Sequence, residues 1–460
     1  MLSAKSVIRF YHCVCVVALF AGLHASADDW PQWLGPQRDG VWRETGILAK
    51  FPSEGPTVRW RVPIGAGYSG PAVAAGRVYV TDRIAGPKSA KPASGIDKRF
   101  IAGSERVLCL NEADGKMVWQ HEYDCPYDVS YPAGPRATPV IDGGKVYTLG
   151  SEGHLFCFNA DTGEKLWSRE FKKDFEIETP IWGFAAHPLI DGNKLICMVG
   201  RKGSVVVAFD KATGKELWRA LSAKEPGYCP PMIYKAAGKR QLIIWHPEAV
   251  NSLDPENGAV YWSVPFIARN GLSVPTPRQH GDRLFITSFY NGSLMLRFED
   301  EGKPAEAGTT KSKAPKVSEL WRRVGKNERN TDALQSIMST PFFDGDYIYG
   351  VCSYGQLRCL KASNGDRVWE SFAATGGKEE RWANAFLIKQ GDRYFLPNEK
   401  GDLIIARLLP DGYHEVSRAH LLEPTNTAAG RDVVWSHPAF ANRCVYARND
   451  KEMVCVSLAE

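Results

Sequence analysis

Two histidines, His187 and His437, occupy the same local position: each directly precedes a proline and a short apolar run. An imidazole can bind a metal ion, transfer a proton or hydrogen-bond to the backbone. The two histidines lie in segments that we place three repeat units apart around a ring. We therefore expect them to be too distant to share one ion, and expect each ring to hydrogen-bond to a neighbouring backbone carbonyl.

Aromatic and basic residues precede the other apolar runs of this kind. An arginine here could contact an anion or form a structural salt bridge, and an indole could stack on a ligand or pack in the rim. Such a set suits an anion, a sugar or a peptide, and no catalytic residue or metal ligand can be assigned within it. The candidate ligand-binding residues are Tyr68, Arg136, Trp182, His187, Tyr228, Asn384, Trp435 and His437.

Other arrangements that support catalysis are missing from the sequence. It contains no Gly-x-Ser-x-Gly, His-Glu-x-x-His or phosphate-binding loop. Its net charge of +5 over 460 residues is too small to indicate a nucleic-acid partner. The 43 glycines and 14 tryptophans instead favour many turns and strands, which is typical of an all-β protein.

The elements that carry these residues are repeated. A small or polar residue and a proline open seven copies, usually before an apolar pair, and an eighth copy, Ala385-Phe386, lacks the proline. The typical spacing between copies is in the mid-forties. Proline suits the first residue of a strand, where no ladder donor is needed. The spacing is typical of a four-stranded propeller blade. Two intervals are longer because they contain inserts at 84–104 and 301–318, which we interpret as mobile surface loops.

A second marker is a glycine four residues ahead of a tryptophan, as in Gly163 and Trp167. Apolar runs flank each copy, which predicts a β-hairpin whose turn needs glycine at positive φ. One late copy, at Gly412, has Val416 in place of the tryptophan. The tryptophans that we expect to pack between blades are Trp60, Trp119, Trp167, Trp218, Trp262, Trp321 and Trp369.

The last unit has only 22 residues after Pro438, enough for three strands. The segment around Trp60 has strand alternation and carries the motif tryptophan without a hairpin before it. We predict that this N-terminal strand completes the eighth blade, which removes two sheet edges. The expected fold is an all-β, eight-bladed antiparallel β-propeller formed by residues 57–460, with an N-terminal extension, 28–56, packed on its outside.

Residues 1–27 have the pattern of a secretory signal peptide: Lys5 and Arg9, a short apolar run, and Ala25-Ser26-Ala27. We expect a periplasmic or secreted monomer without a transmembrane segment after cleavage. Nine cysteines follow residue 27, most of them in strand-like runs where they would be buried. Cys125 and Cys229 lie beside prolines in connecting segments, so we expect them to be exposed, where a disulfide between them could form.

The unit Ala160-Asp-Thr-Gly-Glu-Lys-Leu-Trp167 resembles the tryptophan-docking repeat of the pyrroloquinoline quinone (PQQ) propeller superfamily, and the resemblance covers about 57–460. The opening Asp29-Trp30-Pro-Gln-Trp33 is similar to that of exported propellers of planctomycete-type bacteria. The superfamily includes quinoprotein alcohol dehydrogenases, a non-catalytic lipoprotein scaffold of outer-membrane barrel assembly, and sensor domains attached to kinases. The resemblance implies the fold strongly and the function weakly.

A quinoprotein dehydrogenase of this superfamily needs PQQ, Ca²⁺ and an Asp base. This sequence has neither the adjacent cysteines of many such enzymes nor a Cys-x-x-Cys-His haem site, and no Asp or Glu matches a family ligand. We therefore expect a non-catalytic binding or scaffold module for an envelope or extracellular protein or glycan. The alternatives are a PQQ- and Ca-dependent alcohol or sugar dehydrogenase, and a hydrolase or lyase that uses rim residues.

Overall fold

Eight four-stranded antiparallel sheets follow one another along the chain in a computed structural model that describes residues 28–86, 100–299 and 314–460. The innermost strands contact each other between the first and second, the second and third, and the fifth and sixth sheets, and those of the first and last sheets also touch. The sheets therefore close into a ring, and the expected eight-bladed β-propeller is confirmed. No helix in the described ranges has the length and apolarity needed to cross a membrane.

Each blade is written here from its innermost to its outermost strand. Blades 1 to 4 consist of Ala72–Ala74, Arg77–Ala85, Gly103–Asn111 and Met117–Asp124; Val140–Asp142, Lys145–Leu149, His154–Asn159 and Lys165–Glu170; Leu189–Asp191, Lys194–Met198, Val206–Asp210 and Glu216–Ala220; and Met232–Ala236, Lys239–His246, Ala249–Leu253 and Val260–Pro265. Blades 5 to 8 consist of Arg278–His280, Arg283–Ser288, Gly292–Glu299 and Lys316–Arg323; Phe342–Asp344, Tyr347–Val351, Leu357–Lys361 and Arg367–Ser371; Ile388–Gln390, Arg393–Pro397, Asp402–Leu409 and Gly412–His420; and Ala439–Ala441, Cys444–Arg448, Glu452–Ser457 and Val58–Pro63.

The remaining regular elements are short. Two strand pairs lie outside the blades, and the helical elements have three or four residues each. The strand pairs are Phe100–Ile101 with Tyr127–Asp128, and Asn426–Ala428 with Arg431–Val433; the helical elements are Phe171–Asp174, Arg269–Gly271 and Ala373–Thr375.

The ring is closed by pairing between the two ends of the chain. The N-terminal strand Val58–Pro63 pairs antiparallel with Glu452–Ser457, with Trp60 opposite Cys455. The eighth blade thus takes three strands from the C-terminus and its outermost strand from the N-terminus, as the sequence predicts. This closure satisfies backbone groups that would otherwise form two open edges.

The repeat tryptophans join neighbouring blades. The Trp119 ring covers Gly163, which turns the hairpin of the next blade at φ +72°, and a Cβ added there would lie 2.6 Å from the indole. The indole nitrogen of Trp119 donates a hydrogen bond of 2.9 Å to the carbonyl of Ala160 in the same turn. The same covering of a turn glycine occurs for Trp60 on Gly115, Trp167 on Gly214, Trp218 on Gly258 and Trp321 on Gly365.

Two of the repeat tryptophans make other contacts. The Trp262 indole donates to Gln241 Oε1 of its own blade at 2.8 Å, and its ring lies 6.2 Å from Phe298 of the next. The Trp369 indole donates to the carbonyl of Leu409 at 2.8 Å in the hairpin of the next blade. Both still contact the following blade, but no glycine of the described residues packs against either ring in this way.

The first half of the N-terminal extension, 30–42, does not pack on the outside of the ring, so the expectation is wrong for that half, whereas Phe51 further along donates its backbone N–H to Ser417 on the outermost strand of blade 7. Trp30 forms a bridge with Val73, an innermost-strand residue of blade 1, and Val41 forms one with Lys389 in blade 7. Between them, the Arg38 guanidinium donates to the carbonyls of His187 and Pro188 before blade 3 and of Pro231 before blade 4. The extension crosses the central channel because its tryptophans and Arg38 find their partners there.

The expectation of exposed connecting cysteines is also wrong. All nine described cysteines are buried and have free thiols. Cys125 packs in a small cluster with Tyr127 and Val129, and Cys229 lies against the core between blades 4 and 5. The cysteines of the connecting segments are therefore buried as small apolar side chains, like those of the strands.

The ends of the two predicted inserts are strands, since Arg77–Ala85, Gly103–Asn111 and Lys316–Arg323 extend into them. Their central parts, 87–99 and 300–313, lie outside the described residues, as does the predicted signal peptide at 1–27.

Replacing Gly163 by alanine should destabilise the protein more than the same change at Gly192. Both glycines have positive φ, but an added Cβ meets nothing within 4 Å at Gly192 and the Trp119 ring at Gly163. We expect Gly192→Ala to cost about 1 kcal/mol and Gly163→Ala about 1–3 kcal/mol more, as in overpacked cores. Denaturant midpoints of the two variants measure the difference; equal midpoints would show that tryptophan docking does not require glycine.

Candidate functional site

A cavity of about 220 Å³ lies at the centre of the ring. All eight connections from one blade to the next contribute to it, and Trp33 of the N-terminal extension also lines it. We call it the aromatic cavity. Its lining residues are Trp33, Tyr68, Tyr131, Arg136, Trp182, Ala185, His187, Tyr228, Pro230, Leu272, Val274, Ile337, Met338, Trp382, Phe386, Trp435 and His437.

The structure brings seven of the eight sequence-predicted site residues to this cavity. The eighth, Asn384, is buried, and its carbonyl accepts a hydrogen bond from the backbone N–H of Glu399. Asn384 is therefore not among the lining residues. It precedes an innermost strand like the others, and in this blade Trp382 and Phe386 on either side of it line the cavity instead.

Trp33 forms one wall of the aromatic cavity. Its ring stacks on His187 with centroids 4.3 Å apart and meets His437 edge-on at 4.1 Å. The indole nitrogen donates to Thr276 Oγ1 at 3.3 Å. Residues of three blades thus hold the Trp33 side chain within the channel, and its ring forms this wall of the aromatic cavity.

The two histidines are closer than expected. Their ring centroids lie 5.5 Å apart because the channel narrows where the innermost strands begin. His187 Nδ1 accepts the backbone N–H of Thr138 at 2.8 Å, and His437 Nε2 lies 3.0 Å from the Thr138 hydroxyl. His187 therefore accepts from a backbone amide instead of donating to a carbonyl. No group of three potential metal ligands occurs within the ranges that the structure describes.

Burial keeps both histidines neutral. It lowers the pKa of His187 well below the usual value, with contributions from His437 and Arg38, and lowers the pKa of His437 to about 3. Burial also raises the pKa values of Tyr68 and Tyr228, so these phenols stay protonated. A cavity lined by such groups has no acid or base that titrates near neutral pH.

Arg136 is the single charged side chain of the lining. Its guanidinium donates to the carbonyls of Gly134, Ser130 and Tyr131 at 2.7–2.8 Å and stacks over the Tyr68 ring at 5.1 Å. It forms no salt bridge in the described part of the chain. Arg136 thus fixes the backbone of the connection between blades 1 and 2.

Tyr131 and Trp382 have left-handed backbones, with φ of +52° and +64°. Bulky residues rarely adopt this conformation, which costs about 1 kcal/mol or more. The Tyr131 ring lies 6.5 Å from Trp382 and 5.9 Å from Trp435, so strained connections bring three rings together at the opening. The Trp382 indole nitrogen is buried and has no acceptor among the described residues.

Sequence reasoning missed several lining residues. Trp33 was assigned to an outer extension, and Ile337 and Met338 were not among the candidate residues. These aliphatic positions carry no repeated motif, since each connection has its own length. The glycine-to-tryptophan spacing therefore identifies the blades but not which residues of each connection face the channel.

The lining residues do not fit PQQ with Ca²⁺. Calcium takes six to eight oxygen ligands, mostly from carboxylates and amides. The lining includes no Asp, Glu, Asn or Gln, and the donors of Arg136, its only cation, already serve backbone carbonyls. A tricarboxylate quinone would enter a largely apolar space with a single guanidinium, whose donors are already used, and no base, so we derive no redox step here.

The fold and the repeated docking unit define a propeller of the PQQ-like repeat type. Residues 103–371 and 307–460 match the family described as outer membrane protein assembly factor BamB. Since these matches cover more than half of the sequence, the chain belongs to this family.

Solved structures with the same fold have low sequence identity to this chain. BamB from Moraxella catarrhalis is 16% identical with a TM-score of 0.53, over 87% of this chain and 99% of that one. A quinohemoprotein alcohol dehydrogenase, ADHIIG from Pseudomonas putida HK5, is 12% identical with a TM-score of 0.55, over 94% and 80%. The computationally designed Ika8 protein is 9% identical with a TM-score of 0.51, over 87% and 99%. No curated protein matches the sequence.

The stability of the protein should fall in acid because of His437. Its pKa in the folded state is about 3, below the ordinary value near 6.5, so the unfolded chain binds a proton first as the pH drops. This histidine's contribution is complete above about pH 6.5 and is lost progressively towards pH 3, by up to about 5 kcal/mol.

His437→Gln should flatten this decline in denaturant midpoints measured from pH 7 to pH 4, whereas the surface variant His414→Gln should keep it. An unchanged slope in His437→Gln would contradict the assignment of a neutral, buried imidazole.

Proposed function

We propose that this chain is a non-catalytic binding module that holds a protein or a glycan in its aromatic cavity. The observation that carries the proposal is the composition of the lining: aromatic and aliphatic side chains closed off by Trp33, without a carboxylate or a nucleophilic side chain. Such a cavity binds by excluding water from its ligand. It supplies no group that could transfer a proton or attack a bond at neutral pH.

The surroundings of the aromatic cavity also support a binding role. Trp, Tyr, Met and Arg are the residues enriched in the energetic centres of protein interfaces. Tyr68, Tyr131 and the indoles of the connections are half-buried, so each has a face available to a ligand. Their positions are fixed before binding by Arg136 and by ring contacts, which lowers the entropic cost of binding.

The other two candidate activities have less support. A PQQ-dependent dehydrogenase shares the fold, but the lining residues offer neither calcium ligands nor a base. A hydrolase or lyase would need a nucleophile or a titrating acid–base pair. The two histidines that could serve are held neutral and are hydrogen-bonded to Thr138.

We propose that the protein acts in the cell envelope or outside the cell, as a monomer. The family description names an outer-membrane assembly factor, and residues 1–27 have the pattern of a signal peptide. The partner would therefore be an envelope or extracellular protein or glycan, and no cofactor is required.

Photo-crosslinking from inside the cavity tests the binding role directly. A benzoylphenylalanine at Met338, a half-buried lining residue, should crosslink to a ligand in the cells that produce the protein. The same probe at Leu217, which is 45% exposed on an outermost strand, is the matched control. Adducts specific to position 338 are expected; equal labelling at both positions would contradict a ligand-binding cavity.

PQQ should not stabilise the mature protein. A ligand that binds only the folded state raises the melting temperature by mass action, by RT ln(1 + [L]/Kd) in free energy. We expect no shift of the melting temperature with PQQ well above micromolar concentration, with or without Ca²⁺. A saturable, Ca²⁺-dependent rise would overturn the non-catalytic assignment and favour the dehydrogenase.

A further inference from the structure

We propose that the occupant of the aromatic cavity is a peptide segment that inserts one large apolar side chain and carries acidic residues beside it. This inference rests on the proposed binding function and names the ligand of the same cavity. It follows from the apolar inner walls, from the polar groups that remain free at the opening, and from the charges around the opening.

The inner part of the aromatic cavity suits one apolar group of limited size. Leu272, Val274, Ile337, Met338 and Phe386 form its walls, and Trp33 and the neutral histidines close it. A dry cavity of about 150 Å³ holds a benzene ring. A space of about 220 Å³ therefore accepts one aromatic or long aliphatic side chain and ends at Trp33.

A sugar fits this space less well, because each buried hydroxyl needs a hydrogen-bond partner. Most polar atoms of the lining already have one. The Trp435 indole donates to Glu399 and the Trp33 indole to Thr276, while the Tyr228 hydroxyl accepts from the backbone of Trp182. The aromatic rings could stack on a sugar, but its hydroxyls would find few partners deeper inside.

One donor at the opening suits a peptide backbone. The Trp382 indole N–H is buried and has no acceptor within the described ranges, a state that costs free energy until an acceptor arrives. A carbonyl that follows the inserted side chain would satisfy it. The left-handed backbones of Tyr131 and Trp382 hold this indole close to the Tyr131 ring in the free protein.

The charges at the opening favour acidic neighbours in the peptide. Arg381 lies 4.6 Å over the Trp382 ring and is neutralised by Glu328, and Arg431 is neutralised by the buried Glu399. Arg136 and the exposed Arg269, which stacks over Tyr290, form no ion pair with a carboxylate in the part of the chain that the structure describes. Two guanidinium groups without an ion pair are therefore available to acidic residues of a peptide, and the nearby Glu225 carboxylate lies beside Gly271.

Selection from a displayed library of random peptides tests this proposal. The folded, full-length mature protein serves as bait, and binders are counter-selected against Met338→Glu, which places a carboxylate on the cavity wall. We expect enriched peptides to share one large apolar residue with Asp or Glu within two positions. Synthetic copies should bind Met338→Glu at least tenfold more weakly, and the surface variant Leu217→Glu with unchanged affinity.

The charge requirement has its own test. Arg269→Glu should lower the affinity for acid-flanked peptides several-fold, most strongly at low salt. Arg407→Glu on blade 7, remote from the opening, should leave this affinity unchanged. Both arginines are exposed, so neither substitution should disturb folding, which circular dichroism and the melting temperature verify. Equal effects of the two variants would overturn the acidic preference.

A glycan array probed with the same proteins separates this inference from the proposed function. Glycan binding abolished by Met338→Glu, with no enriched peptide, would overturn the peptide ligand and leave the binding function intact. If neither peptides nor glycans bind in a way that depends on Met338, both the peptide ligand and the binding function are overturned.

Discussion

The stacking of one tryptophan on the turn glycine of the next blade holds this structure together. A single blade alone buries neither face of its sheet, because both faces are covered by the neighbouring blades, so it has little stability by itself. Trp119 on Gly163, repeated at four other blade boundaries, makes the hairpin of one blade complete the packing of the blade before it. A bare glycine surface accommodates the indole, and the carbonyl of the same turn accepts its N–H. The contact thus sets both the spacing and the rotation between blades.

Ring closure and the N-terminal extension together create the site. Closure by Val58–Pro63 brings eight connections to one opening. By itself this arrangement would leave a channel through the molecule. Trp33 enters that channel and stacks on His187, while Arg38 fixes the backbone beside it. The aromatic cavity is therefore a joint product of the repeated core and of a segment without any repeat.

The architecture was predictable from the sequence because it is periodic. Strand-start prolines and the Gly163-to-Trp167 spacing recur often enough to number the blades, and the truncated last unit identifies the closing strand. The seven candidate residues that the structure places in the lining lie before those prolines. The position of Trp33 was not predictable, since nothing in its local sequence says which surface it packs against. The same holds for Met338 and for the free Trp382 N–H.

The pairing of the two chain ends has a consequence for how the protein matures. The strand containing Trp60 is among the first parts of the propeller to be synthesised, yet its partner Glu452–Ser457 is almost the last. Until Glu452–Ser457 has been synthesised, the early strand keeps an unpaired edge and Trp33 has no closed channel to enter. Closure of the ring thus depends on pairing between two segments that are far apart in the sequence, and the early segment must be kept from pairing with other chains in the meantime.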